Sequence, residues 1–261
     1  GIEYELANAL KQITQDRRPL IGLVTGHQEM DSLELVSFRR LLTADYQVEK
    51  VILDDLAEVQ PDVLMVIQPK EAYSPIEKYH LDQYLMDGGK GIFLVDKVAV
   101  NMDSAAIGTF SFPYDLNIDD MLFRYGVRIN NDLVQDFVSG AHPIIVGNSG
   151  DQPQIQLLQW PFFPVVNQYA NHVIVRNLDA TKANFISSID TVKAEGVKKT
   201  ILLSSSVYSR VSTAPVYVDI NILQESLSPD KFDKQNVPLG VLLEGEFTSF
   251  YKNRFLPKDI N

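Results

Sequence analysis

The sequence contains no cysteine, only four histidines and a single tryptophan among its 261 residues. Without cysteine, the chain has no disulfide, thiolate zinc site, iron–sulfur cluster or cysteine nucleophile. Basic residues are also scarce, since 23 Lys and Arg face 34 Asp and Glu and give a net charge of −11. Phosphate-rich partners need a basic surface, so this acidity argues against binding to nucleic acid. No stretch approaches the ~18 consecutive apolar residues of a membrane-spanning helix.

What is present indicates a folded protein. Hydrophobic residues make up 45% of the chain and charged residues 22%, which is typical of a globular protein with a substantial core. Runs with helical periodicity alternate with short apolar runs typical of buried strands. The predicted helices are 3–14, 31–42 and 74–89, and the predicted strands are 19–26, 46–53, 62–69 and 91–96. This alternation predicts an α/β fold with a doubly wound, mostly parallel sheet.

The segment 74–89 carries the most complete helix signals. Ser74 is the predicted N-cap, Pro75 occupies the first helical position, and Glu77 completes a capping box. Gly88 or Gly89 provides the left-handed residue that ends the helix. The sequence therefore predicts both ends of this helix.

The second half of the chain contains more strand-like runs. We therefore predict an α/β portion over residues 1–110 and a β-rich continuation over residues 111–261, part of which completes the same sheet. The continuation contains a predicted strand at 171–178, a predicted helix at 181–190, and two apolar runs, 198–206 and 237–245, that are candidates to complete the parallel sheet.

One aromatic cluster permits two interpretations. Trp160, Phe162 and Phe163 are interleaved with Pro161 and Pro164. Because proline cannot donate to a β-ladder, this segment is predicted to lie in an edge strand or a loop. Its aromatic side chains form either an exposed contact surface or part of the core.

Several segments, in order, resemble the auxiliary proteins of bacterial ABC-type transport systems, and in particular the gliding-motility-associated type. They are EYELANAL, LIGLVTGHQE, LDQYLMDGGKGIFLVD, LNIDDMLFRYGVRINNDLVQD, QWPFFPVV, VKKTILLSSSVYSR and VLLEGEFTSFYKNR. The resemblance implies an amidotransferase-like (flavodoxin-like) fold for the α/β portion. It also implies a soluble region on the extracytoplasmic (periplasmic) face of the membrane, anchored by segments outside this chain. The implied partners are an ATPase and a permease.

The implied amidotransferase-like fold raises the question of catalysis. An enzyme of that class needs a nucleophile on a sharp strand-to-helix turn and a histidine to activate it. The corresponding segment, 95–100, contains no Cys, Ser or Thr, and no G-x-S-x-G pattern occurs. We therefore predict a non-catalytic interaction module without cofactor or metal. The alternatives are a hydrolase that pairs a late serine with His27, and an extracytoplasmic ligand-binding module.

Candidate binding residues follow from the sheet. In open α/β sheets, ligands bind outside the carboxyl ends of the strands. The residues predicted at those ends are Thr25, Gly26, His27 and Glu29 after the first strand, Gln68 after the third and Asp96 after the fourth. The alternative for residues 25–29 is a simple turn that begins the next helix. On the binding interpretation, replacement of His27 by alanine weakens association with a partner and leaves the fold intact.

Overall fold

The computed structural model describes residue 6 and residues 17–30, 33–105, 108–149, 152–220 and 228–258. These residues form two compact units. The first contains the described residues of Gly1–Val95, Leu116–Ile118 and Ser249–Asn261, and the second contains those of Asp96–Asp115 and Asp119–Thr248. The helix predicted over 3–14 lies, apart from residue 6, outside the described residues.

The first unit contains a four-stranded parallel sheet in the order β2-β1-β3-β4. Its strands are β1 (Leu20–Val24), β2 (Gln47–Val51), β3 (Val63–Ile67) and β4 (Lys90–Leu94). The central strands β1 and β3 are almost fully buried, which explains their continuous apolar sequences. By contrast, β4 lies at an edge and leaves Ile92 and Leu94 about half exposed, so the prediction that this strand is buried was wrong. A doubly wound, flavodoxin-like arrangement stays a prediction.

Three helices within residues 33–95 accompany this sheet. They are α1 (Val36–Leu42), α2 (Leu56–Val59), which follows a 3₁₀ turn at Leu53–Asp55, and α3 (Pro75–Met86). On α1, Phe38 and Leu42 pack against the cluster formed by Ile21, Leu23 and neighbouring apolar residues. This apolar face holds α1 against the sheet strands.

Helix α3 begins as predicted. The Glu77 amide donates to the Ser74 hydroxyl at 3.2 Å, and the Glu77 carboxylate accepts from the Ser74 amide at 2.8 Å, which confirms the capping box. At the other end, Gly88 adopts a φ of +90°, a conformation that favours glycine. Both ends of α3 are therefore fixed by local sequence.

A late segment of the chain packs on α3. Asp82, which is 0% exposed, accepts hydrogen bonds from the Ser249 hydroxyl and the Phe250 amide, each at 2.7 Å. The Lys78 ammonium lies 4.4 Å from the centroid of the Phe250 ring. These contacts explain why the segment that begins at Ser249 belongs to the first unit.

The second unit is built from antiparallel strands. Its helices are α4 (Met102–Ala105) and α5 (Asp119–Tyr125), with a 3₁₀ turn at Pro229–Lys231. Its strands are β5 (Val98–Ala99), β6 (Thr109–Pro113), β7 (Val127–Ile129), β8 (Asp132–Asp136), β9 (Ser139–Ser149), β10 (Gln152–Val166), β11 (Gln168–Tyr169), β12 (Thr181–Lys182), β13 (Ile189–Thr191), β14 (Val197–Ser204), β15 (Ser209–Thr213), β16 (Val216–Val218) and β17 (Pro238–Gly245). They form the sheets β12-β10-β9, β11-β14-β17, β16-β6-β5, β13-β7 and β15-β8.

Two sequence-based assignments of secondary structure in the second unit were wrong, and one strand pairing differs from the predicted one. Residues 171–178, predicted as a strand, form turns, whereas residues 181–190, predicted as a helix, supply the short strands β12 and β13. The two runs considered for the parallel sheet, which form β14 and β17, pair antiparallel with each other. Tertiary strand pairing therefore overrides the local periodicity in these segments.

The aromatic cluster lies in the core of the second unit. Trp160 is 0% exposed, and its ring centroid lies 4.8 Å from that of Phe163 and 5.4 Å from that of Phe185. The pairing of β10 with β9 is irregular between Gln159 and Pro164, so the prolines lie in or beside a bulge. The segment was predicted as edge or loop, and this irregularity lets it be part of a long strand instead.

Among the described residues, no helix has both the length and the apolar character needed to cross a bilayer.

Candidate functional site

The loop that follows β1 is joined to the loop that follows β3. The His27 carbonyl accepts hydrogen bonds from the amides of Lys70 and Glu71, at 2.8 and 3.1 Å. Gly26 and Gln28 both have positive φ, at +128° and +53°, so the chain turns sharply on either side of His27. This turn directs His27 into the protein and fixes the carboxyl end of β1.

His27 is buried between two carboxylates. Its side chain is 4% exposed, with Nδ1 lying 3.1 Å from Glu29 Oε1 and Nε2 lying 3.1 Å from Glu77 Oε1. The Glu29 carboxylate also accepts a hydrogen bond from the His27 amide at 2.8 Å. The imidazole stacks on the Tyr73 ring with centroids 3.9 Å apart. We call His27, Glu29, Tyr73 and Glu77 the His27 cluster.

The carboxylates favour the protonated imidazole. Burial opposes a charge on His27, but the hydrogen bonds and charges of Glu29 and Glu77 outweigh it and raise the pKa of His27. Burial likewise opposes ionisation of Glu29 and Glu77, yet hydrogen bonds from His27, and from Ser74 to Glu77, lower the pKa of both carboxyl groups. The two carboxylates therefore favour the imidazolium form of His27.

The pH dependence of stability follows from these pKa directions. A raised pKa makes His27 stabilising below its ordinary value of 6.5, and that stabilisation is lost as the pH rises through the folded-state pKa. Lowered pKa values make Glu29 and Glu77 stabilising above their ordinary value of 4.5, and this is lost as the pH falls through their folded-state values. The cluster should therefore stabilise the first unit most between pH 4.5 and 6.5.

Thermal unfolding across this range provides the test. We expect the wild type to lose thermal stability as the pH rises above 6.5, and the His27→Gln variant to lack that loss. A His80→Gln variant is the matched control, because the His80 side chain is 29% exposed and lies on the same helix as Glu77. Parallel pH profiles for the wild type and His27→Gln would show that His27 is not the titrating group.

The other predicted site residues fall in different places. Thr25, Gly26 and Glu29 line a cavity of about 240 Å³ at the carboxyl end of β1. The Gln68 amide donates to the Leu94 carbonyl at 2.7 Å, so its backbone joins the loop after β3 to β4. Asp96 belongs to the second unit. Of the predicted residues, Thr25, Gly26 and Glu29 are thus brought together around one cavity, whereas His27 is buried beside it and does not line it.

Sequence reasoning missed three contributors to this end of the sheet. Glu77 was assigned only a capping role, although it also contacts His27. Arg39, on α1, and Lys50, on β2, line the same cavity as Thr25 and Gly26. The register of the predicted helix and strand could have revealed them, because it places Arg39 and Lys50 near the carboxyl end of the parallel sheet.

A larger groove of about 590 Å³ lies at the opposite, amino-terminal ends of β3 and β4. Asp62, one of its two acidic lining residues, accepts two hydrogen bonds from Arg17, both at 2.7 Å. The Tyr84 hydroxyl oxygen lies 3.1 Å from the backbone carbonyl oxygens of both Pro61 and Lys90. The smaller cavity, by contrast, is lined by the predicted residues Thr25, Gly26 and Glu29, so we take it as the candidate site.

The described geometry does not support the alternative of a hydrolase that pairs a late serine with His27. Both ring nitrogens of His27 lie against carboxylates, so neither is available to accept a proton from a serine hydroxyl. The late serines have structural partners, since the Ser206 hydroxyl donates to Asp136 at 2.6 Å and the Ser205 and Ser209 hydroxyls lie 2.9 Å apart. Within the described part of the chain, no group of three or more His, Cys, Asp or Glu is arranged to hold a metal ion.

Comparison with known proteins identifies the family. Residues 18–261 match a family of auxiliary proteins described as an ABC-type uncharacterized transport system. The chain belongs to this family. Its members are auxiliary components of ABC-type transport systems, which confirms the broader resemblance seen in the sequence.

Individual proteins also resemble this family member. An uncharacterized protein of Borreliella burgdorferi is 22% identical over 271 residues, which cover 98% of this chain and 50% of that protein. The chain thus spans about half the length of this curated relative. The solved structure of the mmIFT52 N-terminal domain matches with a TM-score of 0.50 and 17% identity, covering 76% of this chain and 77% of that one. At that identity, the likeness concerns the fold alone.

Proposed function

We propose that this chain is a non-catalytic interaction module of an ABC-type transporter of the gliding-motility-associated type. The observation that carries the proposal is membership of the auxiliary transport family over residues 18–261. In such a system, ATP hydrolysis is the task of a separate ATPase subunit, and an accessory module contributes binding rather than chemistry. We propose the ATPase and the permease as its partners.

The His27 cluster supports a role without catalysis. A general base must keep one ring nitrogen free to accept a proton, and both nitrogens of His27 lie 3.1 Å from carboxylates. The stacked Tyr73 ring further restricts the imidazole. The cluster therefore acts as a rigid support for the loops after β1 and β3, on which binding residues are displayed.

The proposed location is the extracytoplasmic, periplasmic face of the cytoplasmic membrane, with the full-length protein anchored in the bilayer. The net charge of −11 supports a solvated surface that does not lie on anionic lipid headgroups. Protease added to intact spheroplasts should degrade this region if the proposed orientation is correct. Full protection until the cells are lysed would place it in the cytoplasm instead.

Affinity purification of the tagged full-length protein from its native membrane tests the association. We expect an ATPase and a permease to co-purify in detergent. A tagged, unrelated membrane protein from the same cells is the control for non-specific recovery. Absence of both subunits after chemical cross-linking, from a preparation in which the tagged protein is folded, would contradict the proposed function.

A further inference from the structure

The cavity at the carboxyl end of β1 has a mixed lining that the proposed association with transporter subunits does not explain. Polar and charged groups come from Thr25, Gln28, Glu29, Arg39 and Lys50. Apolar groups come from Leu23, Val24, Met30, Leu35 and Ile67. A concave site that combines an apolar wall with a few polar groups is the usual form of a small-molecule site.

Arg39 is the residue that points to an anion. Its Nε atom is buried and has no hydrogen-bond partner. An unpaired buried donor is unfavourable, so such groups are normally satisfied by the protein, by water or by a ligand. A guanidinium presents its donors in a planar fork that matches the two oxygens of a carboxylate. Lys50 adds a second positive charge to the same lining.

The backbone leaves room for a ligand beside these cations. Gly26 has a φ of +128°, and a Cβ atom added there would meet no atom within 4 Å. A ligand can therefore approach the main chain closely at this turn. The volume of about 240 Å³ is small compared with the pockets that hold drug-sized molecules, so a short ligand fits best.

Glu29 helps to define the ligand's charge. Glu29 is a lining residue whose carboxylate contacts His27, and its negative charge disfavours a doubly charged phosphate in the cavity. Leu23, Leu35 and Ile67 offer apolar contact to an aliphatic chain. A singly charged head and a short apolar tail therefore satisfy both parts of the lining.

We propose that this cavity binds a small aliphatic carboxylate, with its oxygens against Arg39 and its tail against Leu23, Leu35 and Ile67. The proposal is independent of the proposed association with a transporter, because the whole lining belongs to the first unit of this chain. It assigns to Arg39 and Lys50 a binding role that complements the predicted residues Thr25 and Gly26.

Titration of the ¹⁵N-labelled protein with butyrate, followed by NMR, tests the inference. We expect saturable shifts of the backbone amides of Thr25, Gly26 and Gln28, with a Kd on the order of 1 mM for so small a ligand. Butyramide, which has the same shape without the charge, should bind at least about tenfold more weakly. Inorganic phosphate should also bind more weakly than butyrate.

Matched variants locate the charge that matters. Arg39→Gln should weaken butyrate binding at least about tenfold, whereas Arg40→Gln should leave it unchanged, because the neighbouring Arg40 is exposed and outside the cavity lining. The proposal is overturned if butyrate gives no saturable shift at these amides, or if butyramide or phosphate binds as well. Equal butyrate affinity in Arg39→Gln and the wild type would also overturn it. The comparison of butyrate with butyramide needs only the wild type, so it decides the question even if Arg39→Gln fails to fold.

Discussion

Replacement of His27 by alanine is expected to lower the free energy of unfolding of the first unit by about 3–5 kcal/mol. The substitution leaves the carboxylates of Glu29 and Glu77, which are 7% and 20% exposed, without the imidazole ring between them. It also removes the ring that stacks on Tyr73 and leaves a cavity in its place. This outcome differs from the sequence-based expectation of an intact fold, because that expectation placed His27 on an accessible loop.

Hydrogen exchange of the backbone amides of β1 and β3, measured in urea, tests this prediction. It reports the opening of the first unit separately from that of the second unit, which contains Trp160. His80→Ala is the matched control, because His80 contacts the exposed Asp54 carboxylate at 3.3 Å and its loss should cost less than about 1 kcal/mol. Equal loss of protection in the two variants would show that the buried contacts of His27 stabilise the first unit no more than the exposed contact of His80 does.

Replacement of Trp160 by alanine should destabilise the second unit by about 3–5 kcal/mol. The side chain is fully buried and makes edge-on contacts with the rings of Phe162, Phe163 and Phe185. Neighbouring rings cannot collapse fully into the space that an indole leaves, so the variant loses both the burial and the packing of the aromatic cluster. Thermal unfolding monitored by circular dichroism provides the measurement.

Phe112→Ala is the control for this prediction. Phe112 lies on β6 of the same unit but is 59% exposed, so its removal should change stability by no more than about 0.5 kcal/mol. Trp160→Phe should fall between the two, because phenylalanine keeps an aromatic ring in the cluster. If Trp160→Ala and Phe112→Ala unfold at the same temperature, the cluster is not the core that its burial indicates.

Local sequence predicted those parts of the fold whose cause is local. The parallel strands β1 and β3 were recognisable from their short apolar runs, and the start of α3 from Ser74 and Glu77. The segment 181–190 was predicted as a helix, but pairing with β10 and β7 draws its ends into strands. That pairing depends on segments distant in sequence, so periodicity alone could not reveal it.

In the candidate site, too, some residues were predictable from local sequence and others were not. The loop residues Thr25, Gly26 and His27 followed from the rule that ligands bind at strand ends, and the structure gathers Thr25 and Gly26 at one cavity. The contact between Glu77 and His27 was not predicted, because the capping role of Glu77 already explained its presence in the sequence. Arg39 was one of two adjacent arginines, and only the three-dimensional packing of α1 distinguishes it from Arg40.

The anchoring of α3 by Asp82 has a consequence for the order of folding during synthesis. Asp82 and Ser249 are 167 residues apart, so a ribosome must translate the whole second unit before the hydrogen bonds of Asp82 to Ser249 and Phe250 can form. Until then, the carboxylate of Asp82 lacks these two donors, and the first unit is incomplete. Because contacts of such high sequence separation form late, the contacts of Asp82 with this segment should be among the last of the first unit to form on the nascent chain. The first unit is therefore completed only once the segment that begins at Ser249 has been synthesised.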